Sequence, residues 1–279
     1  MKSIILSLLL STLVFGQDYR FSFIGLERGS WILNVCESGQ CRAIETEQEP
    51  RTYDYDFESN RTIYIASDKS VRLIFDGVEK KILESRTDSY TDPLFMDDES
   101  VILVELINGN STNTKIISID FKGKERKTLH YQHSTALNPY CNDQKNLYYA
   151  NVSCVEGCGK IIQEIWSKNL RSKEAQQLTM LNTISHQPSV DKKGHFLYFS
   201  AYTKGNYHIW KLSLREKVLE QITKGDVTDA FPAPYKEGVF FLRREKKSVK
   251  IMHLSHTGNL EEVTLPKAYK KIRNLKVEQ

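Results

Sequence analysis

Long apolar runs are scarce in this 279-residue sequence, and after residue 16 no segment approaches the ~20 apolar residues that span a bilayer. Several catalytic signatures are missing. There is no Gly-x-Ser-x-Gly elbow, no His-Glu-x-x-His and no phosphate loop, which removes the usual routes to serine hydrolysis, zinc peptidase chemistry and nucleotide hydrolysis. A surplus of one charge is missing too. Lys and Arg number 39 against 35 Asp and Glu, and a net charge of +4 is too small to imply nucleic acid as a partner. Glycine (14) and proline (7) are modest, which argues against a low-complexity chain.

What is present points to strands. Hydrophobic residues make up 40% and charged residues 27%, a globular balance, and Tyr (14) and Phe (12) are plentiful. The first residues read as an export signal: Lys2 is followed by an apolar stretch from Ile4 to Phe15, and Val14-Phe15-Gly16 fits a peptidase site before Gln17. Residues 1–16 are therefore expected to be a cleaved signal peptide and 17–279 a single domain, periplasmic or secreted, with no membrane segment after cleavage. Five cysteines fit an oxidising compartment. Cys36 and Cys41 flank one short turn and Cys154 and Cys158 another, so each pair is a disulfide candidate, with Cys141 left over as a buried thiol. A zinc site is the rival reading, but the two close pairs lie far apart and lack a paired histidine motif.

Internal repetition carries the fold. Pro93, Pro139, Pro188 and Pro232 recur at spacings of 46, 49 and 44, and a closing apolar residue at Leu83, Leu129, Leu178, Ile222 and Leu265 recurs at 46, 49, 44 and 43. Two anchors that stay in step while unit length varies describe one repeated unit with loop insertions. The clearest unit, 187–223, reads as a short extended segment at Pro188, a turn at Asp191 to Gly194, an apolar strand at 196–201, a turn, an alternating strand at 207–214 and a last strand at 218–223. That is a four-stranded antiparallel sheet, the size of one propeller blade. The first unit shows three strands, at 21–26, 31–36 and 41–46, without an opening strand, and a lone strand-like segment lies at 272–277. The expected fold is thus all-β: a six-bladed β-propeller of four-stranded antiparallel blades, whose C-terminal strand closes the first blade and hides the open edges.

The pattern of Pro188-Ser189, Asp191, Gly194, Ile209-Trp210 and Ile222-Thr223, repeated in part at Ile165-Trp166 and Leu178-Thr179, resembles the TolB-type propeller repeat. The resemblance implies a periplasmic propeller. TolB proteins carry an α/β domain ahead of it, which is not expected here because strand-like sequence begins almost at the cleavage point. The same repeat occurs in propellers attached to serine peptidases, so the resemblance speaks to fold before function.

Candidate chemistry is sparse. His130/His133 and His253/His256 are each spaced by three, which on a strand points the rings to opposite faces, so they read as surface histidines rather than a metal clamp. The acids at Asp97-Asp98-Glu99 and at Asp54, Asp56 and Glu58 read as turn residues, although a propeller pocket can pair two carboxylates as glycosidases do. From Lys236 onward 11 Lys or Arg stand against 5 Asp or Glu, a basic stretch read as a solvated face. No catalytic, cofactor or metal residues are assigned. The expected function is non-enzymatic: an exported propeller that binds a protein or peptide of the cell envelope through its loops, without cofactor or nucleic acid. The alternative is a carbohydrate-binding or glycoside-processing propeller using the central pocket.

Overall fold

The computed structural model describes residues 19–279 except 86, 142, 155, 156 and 158. The expected signal peptide and Cys158 lie outside the described residues.

Six four-stranded antiparallel sheets follow one another along the chain. Blade 1 holds β1 (Arg20–Glu27), β2 (Ser30–Glu37) and β3 (Gln40–Ile44). Blade 2 holds β4 (Pro50–Asp56), β5 (Arg61–Ala66), β6 (Val71–Phe75) and β7 (Val78–Leu83). Blade 3 holds β8 (Ser89–Phe95), β9 (Ser100–Leu106), β10 (Thr114–Asp120) and β11 (Arg126–His130). Blade 4 holds β12 (Ala136–Tyr140), β13 (Asn146–Cys154), β14 (Ile162–Asn169) and β15 (Ala175–Gln177). Blade 5 holds β16 (Ser185–Val190), β17 (Phe196–Thr203), β18 (Asn206–Ser213) and β19 (Leu219–Gln221). Blade 6 holds β20 (Thr228–Tyr235), β21 (Gly238–Glu245), β22 (Ser248–Ser255) and β23 (Leu260–Glu262). The last strand, β24 (Ile272–Val277), pairs with β1 and supplies the missing inner strand of blade 1, as the incomplete first unit required. Neighbouring inner strands touch in the order β4, β8, β12, β16, β20, β24 and back to β4, so the blades form a closed ring.

Local sequence explains the tight turns. Arg28-Gly29, Ser38-Gly39, Asp76-Gly77 and Lys204-Gly205 each place two residues at positive φ between paired strands, the backbone of a two-residue hairpin whose twist matches the sheet. The core is divided rather than central. Among the described residues six apolar clusters occur, each built from two adjacent blades; Ile63, Val71 and Leu73 of blade 2, for example, meet Val101, Leu103 and Ile117 of blade 3. Both faces of each sheet are therefore buried. In β18 this covers His208 and Ile209 together, although they point to opposite faces. A blade alone leaves both faces wet, and only the ring hides them.

Candidate functional site: the axial pocket

The six inner strands enclose a cavity of about 280 Å³ on the propeller axis. Five of the six bend where they face it. Asp92, Asn138, Gln187, Phe231 and Asn274 have φ between 48° and 58°, and the pairing register slips around the first four where β8, β12, β16 and β20 meet their second strands. Each of these four precedes an anchor proline, 93, 139, 188 or 232. Proline has no N–H to give the ladder and is tolerated at such a bulge. The left-handed backbone costs least at Asp and Asn, and the side chains released by the bulge are used.

They form a relay around the axis. Asp92 Oδ2 accepts the Asn138 backbone N–H (3.0 Å) and its side-chain amide (3.1 Å). Asn138 Oδ1 accepts the Gln187 N–H (3.3 Å), and Gln187 Oε1 accepts the Phe231 N–H (2.8 Å). Blades 3 to 6 are thus joined by one repeated contact. Blade 2 lacks the positive-φ residue, and Asp54 takes over: its Oδ2 accepts the Phe95 N–H of blade 3 (2.9 Å) and its Oδ1 pairs with Lys276 of β24 (2.8 Å). The remaining junction, blade 6 to blade 1, is closed by apolar packing of Phe240, Leu242, Phe23 and Leu275.

The pocket therefore combines two carboxylates, one ammonium group, amides and aromatic rings. Solvent reaches part of Asp92 through the pocket, yet the protein packed around it pushes its carboxyl above the usual range, against the lowering influence of the Asn138 N–H and of Lys276. Burial likewise raises the Tyr140 phenol, which donates to the Val190 carbonyl (2.8 Å). One mouth is crossed by Gln279. Its side-chain amide donates to Tyr140 Oη (3.1 Å) and the Val190 carbonyl (3.2 Å), and Lys192 donates to its backbone carbonyl (3.0 Å).

The acids singled out in the sequence divide into two groups. Asp97 caps its turn by accepting from the Glu99 N–H (2.9 Å) and Ser100 hydroxyl (2.7 Å), and Asp56 accepts from the Glu58 N–H (3.0 Å) and pairs with Arg61 (2.7 Å). These are turn residues, as is Asp191, which accepts the His195 and Phe196 N–H groups at 2.7 Å each. Asp54 is not in a turn; it lines the pocket. The reading of all four paired histidines as surface groups is corrected. His133 and His256 are exposed, but His130 and His253 are buried: His130 packs at a tilt against Tyr149 of blade 4, and His253 stacks on Phe240 of its own blade. Cys36 and Cys41 are disulfide-bonded, and Cys141 is a buried free thiol. Cys154 is also disulfide-bonded, but its candidate partner Cys158 is outside the described residues. Among the described residues no three metal-ligating side chains converge, and no helix is long and apolar enough to cross a membrane. Sequence reasoning missed Asp92, Asn138 and Gln187 as pocket residues. The signal was there, since each stands immediately before an anchor proline.

No protein-family model matches the sequence, and a search of curated proteins finds no match. Solved structures do match. TolB from Acinetobacter baumannii superposes with a TM-score of 0.76 at 14% identity, covering 94% of this chain and 67% of that one. A chain of a nidogen/laminin complex gives 0.69 at 12% identity, covering 93% of this chain and 98% of that one. A puromycin-hydrolyzing peptidase from Mycobacterium tuberculosis gives 0.63 at 11%, with only 46% of its length covered. The chain has the six-bladed, four-stranded propeller fold of the TolB propeller domain.

Proposed function

We propose that this is an exported, non-enzymatic propeller that binds an extended segment of an envelope protein at the axial pocket, residues 1–16 being its cleaved signal peptide and 17–279 its one domain. The observation that carries the reading is the pocket chemistry. Amide and carboxylate acceptors, the Lys276 donor and apolar walls at Leu94, Phe231 and Leu275 are mixed at close range, which suits a peptide's backbone and short side chains. Gln279 supports it from within, because a primary amide already sits at one mouth on Tyr140 and the Val190 carbonyl. The Cys36–Cys41 disulfide agrees with an oxidising compartment.

The glycoside reading rests on Asp54 and Asp92 sharing the pocket. It is the weaker one, because Asp54 has both oxygens engaged and Asp92 anchors Asn138. A photo-crosslinking residue at Phe231, used in the native envelope fraction, separates the two. Stoichiometric capture of one protein supports the peptide reading; capture of glycan alone overturns it.

A further inference from the structure

Three charged side chains line the axial pocket: Asp54, Asp92 and Lys276. Two carboxylates against one ammonium leave a single negative charge, and the hydrogen bonds show where it sits. Lys276 pairs with Asp54 Oδ1 at 2.8 Å, and Asp54 Oδ2 takes the Phe95 N–H at 2.9 Å. Both oxygens of Asp54 are thus used. Asp92 is used on one side only. Its Oδ2 takes both Asn138 donors, whereas Oδ1 has just the Thr91 hydroxyl of its own strand, at a long 3.4 Å. The other cation of β24, Arg273, serves elsewhere: its guanidinium lies 3.9 Å from the centre of the Trp31 ring and donates to the Pro50 carbonyl. Desolvation outweighs the influence of Asn138 and Lys276 on Asp92, so the carboxylate is drawn from water without a counter-ion at contact distance. At the mouth crossed by Gln279 the charges balance. Asp56 pairs with Arg61 and Glu278 with Arg20, and exposed Glu58 and Lys192 add one charge of each sign.

The walls around this carboxylate are apolar. The four anchor prolines form a collar, joined by Leu94, Phe231 and Leu275. A cavity of about 280 Å³ with apolar walls and one unneutralised carboxylate suits an alkyl stem that ends in a positive charge. One oxygen is open and the other is held by Asn138, which favours the point charge of an ammonium group over the two-pronged guanidinium. We infer that the pocket takes a lysine side chain of the bound segment, with Asp92 Oδ1 as its counter-ion and the proline collar around its stem. The inference rests on the peptide reading above and names the side chain that the peptide presents. An acidic side chain would meet Lys276, which Asp54 already holds. A bare metal ion fits poorly, since it needs several converging ligands and among the described residues no three metal-ligating side chains converge.

Calorimetric titration of the purified protein with capped peptides, acetyl-Ala-Ala-X-Ala-Ala-amide, tests this with lysine, arginine, norleucine or glutamate at X. Norleucine keeps the stem and removes the charge. The lysine peptide is expected to bind about tenfold or more tighter than the norleucine peptide, the scale of one charge-assisted contact, and at least as tightly as the arginine peptide. Asp92→Asn keeps an oxygen for Asn138 and removes the charge, so lysine and norleucine should then bind alike; circular dichroism checks its fold. The comparison among peptides on the wild type stands without any variant. No preference for lysine over norleucine, a preference for arginine or glutamate, or a lysine preference that survives Asp92→Asn overturns the proposal. The crosslink at Phe231 keeps the two readings apart. Capture of an envelope protein without a lysine preference leaves the peptide reading standing and removes the role of Asp92, whereas capture of glycan alone removes both.

Discussion

The carboxylate of Asp92 holds two donors of one residue in the next blade, the backbone N–H and the side-chain amide of Asn138, at 3.0 and 3.1 Å. The contact crosses the junction of blades 3 and 4, which is otherwise held by apolar packing and by hydrogen bonds nearer the rim and the outer strands, from the Thr114 hydroxyl to the Ala136 carbonyl and from Lys168 to the Leu129 carbonyl. It fixes angular position as well as proximity, which packing alone does poorly.

Replacing Asp92 by alanine leaves the Asn138 N–H without an acceptor inside the pocket. A loss of about 1–3 kcal/mol is expected in urea unfolding. Asp92→Asn keeps one acceptor oxygen and should cost less. The two variants also separate a pH effect. Asp92 has its pKa raised in the folded state from 3.8, so its favourable contribution is complete below that value and is lost as pH rises through the raised value. Measured from pH 3 upward, wild-type stability should fall relative to Asp92→Asn; a constant gap would mean that the carboxyl is not perturbed.

Much of the fold was legible because the repeat is written in two residue types with stiff physical consequences. All four anchor prolines lie on inner strands, and the lone segment at 272–277 is β24 itself. Blade 2 was harder. Its inner strand begins with Pro50, and the register shift there falls at the start of the strand instead of in its middle, so it shows no anchor in register with the others. The pocket was hidden for another reason: a polar residue before proline reads locally as a turn, and only closure of the ring turns it toward the axis. His130 and His253 were misread because spacing reveals opposite faces, whereas in a propeller both faces are covered.

Closure by β24 rests on few side chains. Leu275 is 4% exposed and packs in the cluster shared by blades 6 and 1, the junction that the axial hydrogen bonds do not bridge. Leu275→Ala is expected to cost about 2–5 kcal/mol and to lower the melting temperature cooperatively. Removing residues 272–279 exposes the edge of β1 and should give aggregation rather than a stable ring of five full blades and one three-stranded blade. Light scattering during thermal denaturation distinguishes the two behaviours.

The Cys36–Cys41 bridge joins directly paired residues on β2 and β3 and closes a loop with a sequence separation of 5. So short a loop removes little entropy from the unfolded chain, and the loop-entropy relation gives about 2 kcal/mol. Cys36→Ser/Cys41→Ser should therefore remain folded and shift the urea midpoint modestly. Loss of all cooperative unfolding in this variant would show that the bridge organises blade 1 beyond its loop entropy, since Cys36 lies fully buried at the blade 6 junction.

Acid should weaken the ring through its buried histidines. His130 is 2% exposed, packs at a tilt against Tyr149 with ring centroids 4.3 Å apart, and has no hydrogen-bond partner at Nε2. Burial first, and then the nearby Lys168 ammonium, lower its pKa from 6.5 to about 4. Burial alone lowers His186 to about 4, against a small opposing hydrogen bond to Gln187. A base with a depressed folded pKa binds protons more readily when unfolded. Its contribution is present above 6.5 and is lost as pH falls through about 4. His130→Phe keeps the ring contact with Tyr149 and removes the titration. The stability curve of this variant should be flatter than wild type between those two values, with the remaining slope carried by His186, His208 and His253, whose pKa values burial also lowers. An unchanged slope would show that His130 stays solvated enough to titrate normally, and the packing between blades 3 and 4 would then have to be looser than Tyr149 and His130 indicate.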